Sequence, residues 1–119
     1  MRVDYQVVRG SLSTWKTLFE DAARVASEVG PDRLIGFSHS EDRSDSVITV
    51  WYWHRPVNAE PATSRQAAFH IVRGTFTTWD SLFREAAEFA AKVGPDRLIG
   101  LSHSADKQDG VITVWYWEE

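Results

Sequence analysis

The stretch Val47–Trp53 reads V-I-T-V-W-Y-W and offers water no polar face. Residues two apart in a strand share a side. Val47, Thr49, Trp51 and Trp53 then lie on one face, and Ile48, Val50 and Tyr52 on the other. A half-solvated antiparallel strand alternates apolar with polar residues, so this one is predicted to be covered on both sides. A helix layer covers one side. The second side must meet another part of the chain, another subunit or a ligand.

Upstream the period changes. Ser13–Val29 places Trp15, Leu18, Phe19, Ala22, Val25, Ala26 and Val29 at the spacing of one buried helical stripe. Ser13 is suited to cap the first turn, and Gly30-Pro31 to end the helix, glycine through a left-handed cap and proline by refusing the next turn. Tyr5–Gly10 reads as a short strand, apolar at Tyr5 and Val7. Arg33–Ser40 reads as a strand joined to Val47–Trp53 by a polar turn. The order is β-α-β-β.

The same pattern then recurs. Shifted by 64 residues, Tyr5–Trp53 lies on Phe69–Trp117 with 30 of 49 positions identical, among them GPDRLIG, SHS and VITVWYW. In the second copy Thr77 takes the cap position, Asp80 adds a first-turn acid, Gly94-Pro95 ends the helix and Gly110 is expected in the hairpin turn. Residues 54–68, with two prolines and Val57 as the one large apolar side chain, read as a linker. A copy of about 50 residues is too small to fold alone without a staple. The expected architecture is therefore one α+β domain over residues 1–119. It comprises repeats 5–53 and 69–117, about six antiparallel strands and two helices packed on one side, with pseudo-twofold symmetry.

Setting Ser40 opposite Val47 leaves a six-residue turn and sorts the faces. Ile35, Phe37 and His39 then join Ile48, Val50 and Tyr52 beneath the helix. Leu34, Gly36 and Ser38 join Thr49, Trp51 and Trp53 outside, where Gly36 would make room for Trp51. A slip of one residue would exchange every assignment. In this register Trp51, Trp53, Trp115 and Trp117 form an outer aromatic surface, the kind of patch that marks interfaces and binding grooves.

The helices carry charge columns of reversed sign: Lys16, Glu20, Arg24, Glu28 against Asp80, Arg84, Glu88, Lys92. They suit either two solvated faces laced by i,i+4 pairs or two helices side by side, with Lys16–Glu88, Glu20–Arg84 and Arg24–Asp80 as one pairing.

Composition narrows the function. A net charge of −4 argues against nucleic acid or an anionic membrane surface as partner. With no cysteine, disulfides, thiolate metal sites and a cysteine nucleophile are excluded. The N-terminus lacks a signal-peptide core and no run approaches the ~18 apolar residues of a membrane span, so a cytoplasmic location is expected.

Candidate chemistry is sparse. His39 and His103 are matched by the duplication, with Asp42, Asp45, Asp106 and Asp109 nearby, but the spacing fits no metal signature. Ser38 and Ser40 adjoin His39 and so point away from it in a strand, and no G-x-S-x-G elbow exists. Arg9 and Arg73, beside the helix starts, are suited to an anion. Arg33 and Arg97 recur at matched positions, and Arg33 is expected in a surface ion pair with the neighbouring Asp32. His54 and His70 lack counterparts and are expected at the surface. No catalytic set, cofactor or metal is assigned.

The β-α-β-β order, with R-G-S-L-S-T-W and R-G-T-F-T-T-W opening the helices and a last strand rich in large residues, resembles the dodecin-type subunit. That resemblance implies a small flavin-binding shell in which a tryptophan stacks on the ligand. It covers topology, Gly10–Trp15 and Gly74–Trp79. This chain departs in its internal duplication and in carrying further tryptophans on the third strand of each copy.

The leading expectation is a non-enzymatic assembly or protein-binding module that homo-oligomerises through the tryptophan face. The alternatives are a binder of an aromatic, flavin- or nucleotide-like small molecule and a small enzyme using His39 and His103.

Overall fold

The computed structural model describes residues 2–10, 14–42, 45–54, 65–75, 77–106 and 109–119. The elements are β1 (Val3–Gly10), α1 (Trp15–Val29), β2 (Leu34–Asp42), β3 (Asp45–Trp53), β4 (Ala67–Thr75), α2 (Trp79–Val93), β5 (Leu98–Asp106) and β6 (Asp109–Trp117). The α+β class and the repeated β-α-β-β order are as the sequence predicts. The strands form two antiparallel sheets of three, β1-β3-β2 and β4-β6-β5. The doubly apolar strand is central in each, which is why neither of its edges is open.

Both helices start one residue later than their expected caps. Thr14 Oγ1 accepts from the Thr17 N–H at 3.2 Å, and Thr78 Oγ1 from the Ser81 N–H at 3.1 Å. Thr78, not Thr77, is therefore the cap of α2, and Ser13 lies outside the described residues. The helices end at Gly30 and Gly94, with φ of 88° and 91°. Glycine is needed for this positive φ, yet with ψ near 160° neither residue is in the left-handed helical cap expected from the sequence.

Ser40 stands opposite Val47, and His39, Phe37 and Ser38 pair with Ile48, Val50 and Thr49 as expected. The ladder continues to Asp42 opposite Asp45, so the turn is shorter than six residues. Gly110 is correspondingly a strand residue, opposite Gly74 and Ala105. A Cβ there would meet Leu82 at 2.8 Å and the Trp79 ring at 3.0 Å, so this glycine lets the first turn of α2 approach β6. A second correction concerns the lower end of the hairpin. A bulge between Leu34 and Gly36 puts Leu34 opposite Tyr52 and leaves Ile35 as the extra residue. Leu34 turns into the core and Ile35 out, reversing their expected faces. The same bulge recurs between Leu98 and Gly100. Gly36 does stand opposite Trp51, but a Cβ there would touch nothing within 4 Å.

Each helix covers the equivalent side of its own sheet. Leu18, Phe19, Ala22 and Ala26 pack on Ile48 and Val50; Leu82 and Ala86 pack on Ile112 and Val114. The two halves then stack. The far face of the second sheet, with Ala67, Phe69, Trp115 and Trp117, joins the core around α1. The layers run α2, second sheet, α1, first sheet, and β2 lies against β5 without ladder hydrogen bonds. Ala67 is buried, and its N–H donates to Ser27 Oγ of α1 at 2.8 Å. The end of the expected linker thus belongs to β4, while residues 55–64 lie outside the described set.

This layering places the helices on opposite faces of the second sheet. The ion pairs seen stay within each helix: Arg84 binds Asp80 of its own column at 2.6 Å, while Arg24 binds Asp21, outside the α1 column. Among the described residues no helix is long and apolar enough to cross a membrane.

Candidate functional site

The two repeats share their elements, register and bulge, but their exposures differ. Trp115 is 0% and Trp117 is 7% accessible, whereas Trp51 and Trp53 are each 38%. The outward assignment of the tryptophan face holds for both sheets. The single aromatic surface expected from all four residues does not form, because α1 and the first sheet cover Trp115 and Trp117.

Trp115 enters a groove between α1 and β2. It stacks on Phe37 at a centroid distance of 3.7 Å with planes 10° apart, and meets the Phe19 ring edge-on at 5.4 Å. Phe69 also reaches Phe19, at 5.7 Å. Besides the Ala67–Ser27 bond, a chain of side-chain hydrogen bonds crosses this boundary. Trp115 Nε1–H donates to Ser102 Oγ at 2.9 Å, and that hydroxyl shares a hydrogen bond with His39 Nδ1 at 2.7 Å. Burying the indole N–H and the imidazole together therefore leaves neither contact atom orphaned.

His39 sits between the edges of Trp15 and Phe19, with ring centroids 5.1 and 5.2 Å away. Burial lowers its pKa from 6.5 to about 4; the His103 charge pushes the same way, opposed by a hydrogen bond with the Val111 backbone. His39 is consequently neutral at pH 7. The expected approach of the two histidines occurs to the extent that His39 feels the charge of His103.

The second repeat builds the same imidazole box and leaves it open. His103 lies 5.6 Å from Trp79 and 5.4 Å from Phe83, both edge-on. Trp79, Phe83 and Leu101 are 41%, 44% and 47% accessible, although their counterparts Trp15 and Phe19 are buried. Beside them runs an apolar groove of about 560 Å³ between α2 and β5, whose lining includes Phe83, Ala87, Ala90, Leu101 and His103. Subtracting the repeat offset of 64 turns these into Phe19, Ala23, Ala26, Phe37 and His39: Phe19 and Phe37 touch the Trp115 ring, Ala23 and Ala26 belong to the same buried cluster, and His39 shares the Ser102 hydroxyl with the Trp115 indole.

At the other end of the stack the first sheet presents its own tryptophan face. Val3, Tyr5 and Val7 of β1 stand opposite Trp53, Trp51 and Thr49 of β3. Val3, Tyr5, Val7, Ile35, Trp51 and Trp53 are all exposed, an aromatic sheet surface with Tyr5 and Trp51 rings 5.7 Å apart. Trp51 Nε1–H already donates to Ser38 Oγ at 3.0 Å, as Trp115 does to Ser102.

The other candidates lie apart from these surfaces' centres. Arg9 holds Asp45 at 2.6 Å, and Arg73 is exposed on β4 opposite Val111. Arg33 and Arg97 clasp strand ends: their Nε–H groups donate to the Trp53 and Trp117 carbonyls at 3.1 and 2.9 Å, and their guanidinium groups lie over Tyr52 and Tyr116. His54 is half-buried and bonds Asp4 at 2.7 Å, whereas exposed His70 stacks on Phe89 at 3.9 Å. Among the described residues no three His, Asp or Glu side chains gather as a metal site.

From the sequence, Phe37 is expected only beneath the helix and Ser102 only within its SHS tripeptide, and Phe83 and Leu101 carry no expectation of a site. The identical SHS tripeptides held the signal for Ser102, but alternation in a strand shows only that it points away from its neighbouring histidine, not that it meets the other repeat's. No protein-family model, curated protein or solved structure matches the chain.

Proposed function

We propose that this protein is a non-enzymatic assembly module that associates with further copies of itself through the Trp51–Trp53 face of its first sheet. The observation that carries this reading is the contrast between Trp51 at 38% and Trp115 at 0% accessibility within the same seven-residue sequence, VITVWYW. A surface whose internal twin is a dry, stacked interface is built for contact, and tryptophan is favoured at interaction hot spots. The enzyme reading gains no support, since His39 is walled in by Trp15 and Phe19.

Native mass spectrometry tests this proposal. The wild-type chain is expected as an oligomer, and Trp51→Ser with Trp53→Ser as a smaller particle that keeps its secondary structure. An unchanged mass would overturn the reading. A second reading, an aromatic ligand held by Trp51 or in the α2–β5 groove, is favoured by the groove's apolar lining and its 560 Å³. It predicts tryptophan quenching when flavins or other aromatics are titrated.

A further inference from the structure

We infer that copies of this chain associate head to tail, the Trp51 face of one copy seating in the α2–β5 groove of the next. The inference rests on the assembly reading above and names the surface that receives the tryptophan face.

The internal boundary supplies the template. It has two unlike halves: the tryptophan face of the second sheet and the helix–strand groove of the first repeat. Because the chain is a duplication, each half is present a second time. Neither second half is consumed internally: Trp51 and Tyr5 are exposed at one end of the stack, and Phe83 and Leu101 at the other. The unused halves have near-identical chemistry to the pair already joined. Ala86, Ala87 and Ala90 keep the second groove as shallow-walled as Ala22, Ala23 and Ala26 keep the first.

Equivalence also specifies the contacts. Trp51 of the incoming copy is to lie on Leu101, as Trp115 lies on Phe37, with Phe83 at its edge. Ser38, already holding the Trp51 indole N–H, is to meet His103 Nδ1, as Ser102 meets His39. Leucine for phenylalanine at position 101 keeps an apolar floor with less stacking area. The groove suits an uncharged partner, since the side chains facing each other are apolar apart from the serine–histidine pair.

A face-to-face pairing of two Trp51 surfaces would bury one half and leave every groove in water. Head-to-tail contact covers both, and a heterologous interface of this kind closes into a ring or runs on as a filament. One chain offers one donor face and one acceptor groove, so a closed ring leaves neither exposed.

The test uses two full-length variants. The groove variant, Ala87→Glu with Ala91→Lys, places an i,i+4 pair of good helix formers on exposed α2 positions. The face variant is Trp51→Ser with Trp53→Ser. Native mass is expected to show an oligomer for wild type and single chains for each variant alone. A one-to-one mixture of the variants should give a heterodimer that grows no further, joined through the one intact face and the one intact groove. Leu101→Glu, on the strand side, should reproduce the groove variant without touching the helix. If the groove variants keep the wild-type mass, or the mixture yields no heterodimer, head-to-tail contact is overturned while the assembly reading stands. A wild-type chain that is monomeric, bare or with a few hundred daltons of bound ligand, overturns both.

Discussion

Phe37 and Trp115, 78 residues apart, lie flat on one another with centroids 3.7 Å apart. They are the flattest-stacked of the described ring pairs that join the repeats, one from the helix-covered face of the first sheet and one from the far face of the second. The stability of the fold is therefore expected to depend on the second tryptophan face far more than on the first.

Trp115→Ala should cost about 3–5 kcal/mol of unfolding free energy, the usual cost of removing a large aromatic from a close-packed core. Trp51→Ala, at 38% accessibility, should cost under about 1 kcal/mol in dilute solution. Urea unfolding followed by far-UV circular dichroism measures both. Equal losses would mean that the two faces are buried alike.

His39 gives the protein an acid-side instability. Its folded pKa is about 4 against 6.5 when unperturbed. Between those values the unfolded chain binds a proton that the folded chain refuses, so stability is complete above about pH 6.5 and falls as pH drops toward 4. The full effect is at most about 3 kcal/mol. Stability measured from pH 7.5 to 4.5 should decline through this window. His39→Gln should be less stable at pH 7 and show a flatter profile; an unchanged slope would mean that His39 does not cause the decline.

Two glycines at comparable strand positions are expected to behave differently. Gly110→Ala drives a methyl to 2.8 Å from Leu82 and should destabilise by about 1–3 kcal/mol as overpacking does. Gly100→Ala meets nothing within 4 Å and should stay within about 0.5 kcal/mol of wild type. Thermal melts of the two variants make the comparison.

Thr78→Ala removes the oxygen that accepts the Ser81 N–H at 3.1 Å. The loss of this cap should lower stability by about 1 kcal/mol. Chemical denaturation measures it, and an unchanged midpoint would mean that the Thr78 hydroxyl does not hold the start of α2.

The duplication, the β-α-β-β order, the Ser40–Val47 register and the outward side of the tryptophans were all determined by the sequence alone. They follow from short-range physics: a period of two or of 3.6, a glycine-proline stop, a polar turn. The bulge at Ile35 was not legible, because one unpaired residue in an apolar run leaves no mark in composition. Nor was the fate of the four tryptophans. Trp51 and Trp115 stand in the same seven residues, VITVWYW, and identical local sequence predicts identical surroundings. Only the tertiary structure separated them. Stacking one repeat on the other consumes one tryptophan face and one groove, and a chain with two ends necessarily leaves the other face and the other groove in water.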